Sequence, residues 1–137
     1  MPELPDITIY VEALAARVVG QPIERVRLVS PFLVRTAAPP LRSVEGQIVR
    51  SVSRLGKRIV FAFDGDNLFL VLHLMIAGRL HWKAAGAKVP GKVGLLALDF
   101  PNGTLVLTEA SAKKRAALHL FRGIAALAAL DRGGIDV

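Results

Sequence analysis

Asp64-Gly65-Asp66-Asn67, followed by Leu68-Phe69-Leu70-Val71-Leu72-His73-Leu74, is the stretch that decides the fold. Glycine among Asp and Asn readily takes the backbone geometry of a tight hairpin. The nearly continuous apolar run behind it is what a central strand buried on both faces requires. Working upstream, residues 47–63 divide into two antiparallel strands. Ile48, Val52, Ile59, Phe61 and Phe63 supply the apolar positions, Arg50, Arg54, Lys57 and Arg58 the charge, and Leu55-Gly56 the bend. Before them, residues 23–29 read as a strand with Arg25 and Arg27 projecting to one side, residues 32–35 as a second short strand, and residues 36–40 as a loop punctuated by Pro39 and Pro40. Downstream, residues 80–82 continue the sheet after Gly78, and residues 84–91 form a loop. Residues 93–100 and 104–108 make a hairpin across Pro101-Asn102-Gly103, and residues 116–120 are a last apolar strand. Two helices bracket this series. In residues 6–19, Ile7, Val11, Leu14 and Val18 fall at helical spacing with Gly20 as a stop, and residues 123–130 are rich in Ala and Leu. The expected fold is mainly β with flanking helices: a two-layered antiparallel β-sandwich of roughly eight short strands.

The whole chain narrows the function. Its 137 residues suit one domain over residues 1–130, and Asp131-Arg132-Gly133-Gly134 reads as the start of a linker over residues 131–137. Hydrophobic residues make up 53%, yet no apolar run approaches a bilayer span. The N-terminus lacks a basic segment followed by an apolar run, so a cytoplasmic location away from membranes is expected, and with it a monomer. With no cysteine and three scattered histidines, neither a disulfide framework nor a metal cluster is expected. The formal net charge of +7 favours a polyanionic partner, most simply nucleic acid.

The opening Met1-Pro2-Glu3-Leu4-Pro5-Asp6 offers chemistry. Removal of Met1 would make Pro2 an N-terminal secondary amine with the Glu3 carboxylate on the next residue. An α-amino group has an unperturbed pKa of roughly 8 and is in part unprotonated near neutral pH. Attack on a carbonyl or sugar C1′ carbon would give a cationic iminium, an electron sink like a Schiff-base lysine. Pro5 and Asp6 suit the first turn of a helix. The plainer alternative is an extended arm leading into that helix.

Several motifs together resemble the N-terminal catalytic domain of the formamidopyrimidine-DNA glycosylase and endonuclease VIII family. They are Pro2-Glu3-Leu4-Pro5, Arg54-Leu55-Gly56-Lys57, His73-Leu74-Met75-Ile76-Ala77-Gly78, and Phe100-Pro101-Asn102-Gly103-Thr104 with Thr108-Glu109. The resemblance covers the entire chain and implies a sandwich whose N-terminal helix carries the catalytic end. It implies a bifunctional glycosylase and abasic-site lyase acting on damaged double-stranded DNA. Pro2 would attack C1′ of a flipped nucleotide, Glu3 would move protons at the sugar and base, and β- and δ-elimination would cut the strand. Lys57 would assist there and bind a phosphate beside the lesion, His73 would bind a neighbouring phosphate, and Ile76 would stand where the family has its methionine wedge.

This chain departs from the pattern. The family's Asp-Pro-Arg-Arg-Phe loop is replaced by Glu109-Ala110-Ser111-Ala112-Lys113-Lys114-Arg115, longer and without the aromatic wedge. Lys113, Lys114 and Arg115 would still face DNA. The family's second half, with its helix-two-turn-helix segment and zinc finger, would follow the linker, so no cofactor is expected in this chain. A fragment without that half is expected to bind DNA weakly and to have little activity. Two competing readings remain at this stage, a non-catalytic nucleic-acid-binding module and an N-terminal-proline tautomerase.

Overall fold

The structure, a computed structural model, describes residues 4–36, 39–65, 67–75, 77–110 and 115–123, with the backbone alone for residues 4–6. The chain runs α1 (Leu4–Val18), β1 (Arg25–Leu28), 3-10 helices Pro31–Leu33 and Leu41–Val44, β2 (Val49–Leu55), β3 (Arg58–Phe63), β4 (Leu68–His73), β5 (Gly78–Lys83), β6 (Gly94–Phe100), β7 (Gly103–Glu109) and β8 (Ala117–Arg122). The strands form two four-stranded antiparallel sheets, ordered β1-β6-β7-β5 and β2-β3-β4-β8. The expected mainly-β sandwich is therefore present.

Alternation sorts the side chains. Ile59, Phe61 and Phe63 of β3, Leu68, Leu70 and Leu72 of β4, and Leu118 and Leu120 of β8 share one core with Leu96, Leu98, Phe100, Leu105 and Leu107 of the facing sheet. The intervening Val60, Ala62, Phe69 and Val71 are buried as well, in a second cluster with Leu55 and Phe121. Burial on both sides is why residues 68–73 carry no polar alternation. Asn67, at φ 54, takes the left-handed conformation at the β3–β4 turn that Asn tolerates better than most residues.

Three elements differ from the sequence expectation. The strand expected at residues 32–35 is a 3-10 helix, Pro31–Leu33, followed by a single bridge from Val34 to Leu118. Pro31 stands in the helix's first positions, where its fixed φ and missing N–H suit a helical turn better than a ladder. The helical turn Leu41–Val44 was not anticipated. Residues 80–82 do not continue the sheet of β4: β5 pairs with β7, so the chain changes layer between Leu74 and Gly78. The expected helix and linker over residues 124–137 lie outside the described residues.

Helix α1 buries Ile7, Leu14 and Val18 in the main core, and Gly20, at φ 85, follows its end. The N–H of Gly20 donates to the Val49 carbonyl at 2.8 Å, tying the C-terminal end of α1 to the start of β2. From there the helix packs chiefly along β2. Among the described residues, no helix is long and apolar enough to cross a membrane. At the β1 edge, Glu45 Oε2 accepts the Val26 N–H at 2.9 Å.

Arg25 and Arg27 do project to one side, and both reach Asp99. Arg25 Nε donates at 3.2 Å, Arg27 Nε at 2.9 Å and an Arg27 terminal nitrogen at 2.8 Å. The Thr104 hydroxyl donates to Asp99 Oδ1 at 2.7 Å and accepts the Gly86 N–H at 2.9 Å, which fastens the β5–β6 loop. Burial alone would raise the Asp99 pKa, but the hydrogen bonds from Arg27, Thr104 and Arg25 outweigh it and hold the carboxyl below its ordinary value. A carboxyl depressed on folding contributes stability above its unfolded pKa of about 3.9, and this is lost as pH falls through the folded value. Asp99→Asn is expected to cost about 1–3 kcal/mol near neutral pH. It should also flatten the acid side of a plot of unfolding midpoint against pH, and an unchanged acid limb would contradict this assignment.

Candidate nucleic-acid interface

Leu55 pairs with Arg58, leaving Gly56 and Lys57 as the two central residues of the β2–β3 turn. Gly56 has φ 63, the value a hairpin turn asks of glycine at its first central position. Lys57 is thereby exposed at the tip, and an Arg54 guanidinium nitrogen braces the turn by donating to the Gly56 carbonyl at 2.8 Å. Register carries the site across the sheet: Arg58 pairs with His73, and His73 with Ala117. Two residues before Ala117 stands the exposed Arg115. The sequence-expected Lys57, His73 and Arg115 thus come to one end of one sheet.

Two further bases join them. Arg58 sits within the register, and the Arg35 N–H donates to the Leu118 carbonyl at 2.8 Å, docking its segment beside β8. Neither was singled out from sequence. Arg58 was named in the sequence only among the charged positions of the hairpin, whereas Arg35 is brought in by contacts more than eighty residues away in the chain. Burial first, and then the positive charges of Arg35 and Arg58, hold His119 below its ordinary pKa.

His73 is largely buried, and its Nδ1 accepts the Met75 N–H at 3.1 Å. An Nδ1 that accepts places the ring proton on Nε2, making that atom a donor suited to an oxyanion. Behind it, the turn from Leu74 to Gly78 closes by Gly78 N–H to Leu74 carbonyl at 2.9 Å, with Met75 at φ 57. A Cβ on Gly78 would lie 2.3 Å from the Leu74 oxygen, so this approach needs glycine. Ile76, the wedge candidate within this turn, lies outside the described residues, as do Pro2, Glu3, Lys113 and Lys114.

The fifteen residues of α1 rise about 22 Å, close to the length of the seven-residue β2. Helix α1 is tied at its C-terminal end to Val49, the first residue of β2, and packs chiefly on that strand. Glu109, at the end of β7, is 1% exposed. Its Oε1 accepts the Arg115 N–H at 2.8 Å, and both oxygens accept the Ala116 N–H at 3.2 Å. Among the described residues, no three His, Cys, Asp or Glu side chains gather to hold a metal ion.

Residues 1–117 match the family of formamidopyrimidine-DNA glycosylase N-terminal domains. The formamidopyrimidine-DNA glycosylase of Mycoplasma genitalium is 26% identical over 138 residues, covering 99% of this chain and 48% of that protein. That of Geobacter metallireducens is 36% identical over 107 residues, covering 77% and 39%. A crystal structure of the LlFpg protein with THF-DNA and an inhibitor has a TM-score of 0.84 at 26% identity, covering 96% of this chain and 47% of that one. The Lactococcus lactis enzyme non-covalently bound to AP-site DNA has a TM-score of 0.78 at 27% identity, covering 88% and 45%. The chain spans about half the length of these relatives or less.

Proposed function

The chain belongs to the family of formamidopyrimidine-DNA glycosylase N-terminal domains, and from that premise we propose that it is the catalytic half of a base-excision DNA glycosylase with abasic-site lyase activity. The observation that carries the reading is the convergence of Lys57, Arg58, His73 and Arg115 at one end of one sheet of the sandwich. Ammonium, guanidinium and imidazole N–H groups grip the phosphate backbone without reading sequence. Lys57 and His73 would hold phosphates on either side of a flipped nucleotide, with Arg115 on a further one.

In this reading the Pro2 amine lone pair bonds to C1′ as the bond to the damaged base breaks, and the Pro2 N–H proton passes by way of Glu3 to the departing base. Glu3 supplies the proton that opens the sugar at its ring oxygen. The resulting iminium draws electrons from C2′ when that carbon loses a proton, and the 3′ phosphate leaves. A second elimination releases the 5′ phosphate. A retained Met1 would make the Pro2 nitrogen a tertiary amide with no lone pair to give.

Borohydride reduction in the presence of an abasic-site oligonucleotide tests this directly. Protein processed to Pro2 is expected to give a covalent adduct stable to denaturation, and protein retaining Met1 to give none. Salt-dependent DNA binding with no adduct from the processed chain would leave a binding module and remove the lyase.

A further inference from the structure

We propose that Glu109 is a positioning residue for DNA engagement, its buried carboxylate fixing the backbone at Arg115 so that this guanidinium stands with Lys57 and His73. The inference rests on the DNA-binding reading of that end of the sandwich. Glu109 closes β7 in one sheet and Ala117 opens β8 in the other, so the bonds from Arg115 and Ala116 to one carboxylate tie the two layers together. They do so beside the site, because Glu109 pairs with Gly78 at the end of the Leu74–Gly78 turn, and Ala117 pairs with His73.

A buried carboxylate must offset its desolvation, and here it lies beneath a surface read as attracting a polyanion. A neutral side chain would spare the attraction for phosphate. What this side chain adds is acceptance of two consecutive backbone N–H groups, at 2.8 Å from Arg115 and 3.2 Å from Ala116, by the two oxygens of one group. An amide in the same place would offer one acceptor and turn its NH2 toward a donor. The arrangement favours a fixed position for Arg115 over the strongest possible local field.

The test is a double-mutant cycle between Glu109→Gln and Arg115→Gln, read as the dependence of abasic-duplex affinity on salt. Arg115→Gln alone, an exposed change, is expected to reduce the slope of log K against log salt by about 0.9, the loss of one phosphate contact. Glu109→Gln is expected to give a similar reduction and a roughly tenfold weaker complex at low salt, and to change neither quantity further in the Arg115→Gln background. Equal losses from Glu109→Gln in both backgrounds would assign it to general stability and overturn the proposal. An unchanged slope in Arg115→Gln would overturn it even where Glu109→Gln does not fold. Borohydride trapping by the wild-type chain reports on the lyase reading separately, so either can fail alone.

Discussion

Gly78→Ala is expected to lower the midpoint of thermal unfolding by roughly 10 °C, corresponding to about 3 kcal/mol in a domain of this size. The added Cβ would lie 2.3 Å from the Leu74 oxygen and 2.9 Å from the Leu74 Cα. Both are backbone atoms, so no side chain can swing aside. Relief requires opening the Gly78–Leu74 hydrogen bond and shifting the Gly78–Glu109 pair. His73 directly precedes the turn closed by that bond and bonds to Met75 within it, so DNA affinity should fall with stability. A midpoint within about 2 °C of wild type would mean that the turn yields more easily than a backbone clash allows.

Phe61→Ala is expected to cost about 3–5 kcal/mol, which in a domain stable by about 5–15 kcal/mol leaves little margin. Phe61 is fully buried at the middle of β3, paired with Val52 on β2 and Leu70 on β4. Both neighbours are held in ladders and cannot close over the space. Denaturant unfolding measures the loss. A change below about 1.5 kcal/mol would show that the core collapses around the missing ring.

The layered fold was legible because its two strongest signals are local. The turn at residues 64–67 and the apolar run at residues 68–73 need no distant partner to be read, and Gly56 before Lys57 marks its own hairpin. Pro31 turned an expected strand into a helical turn because φ restriction outweighed the apolar content of Phe32 and Leu33. The change of layer between Leu74 and Gly78 was not legible, because alternation in β5 is the same whichever sheet it joins. Within the candidate site, Lys57 and His73 came from motif order. Outside the site, the Asp99 cluster was not legible, since Arg25 and Arg27 lie more than seventy residues from it. Glu109 was recognised as part of a motif but not as a buried acceptor, because burial depends on how β7 and β8 meet.

The contact between Glu45 and the Val26 N–H also bears on how the molecule behaves when crowded. Strand β1 borders its sheet, where an unsatisfied amide would invite backbone from a second copy, and a carboxylate already occupies that position. Along the opposite border Arg79 and Lys83 are exposed, so an approaching copy would meet like charge. Strand-by-strand growth into fibres is thereby discouraged at both borders of this sheet, although its interior strands are as apolar as those of many aggregating segments.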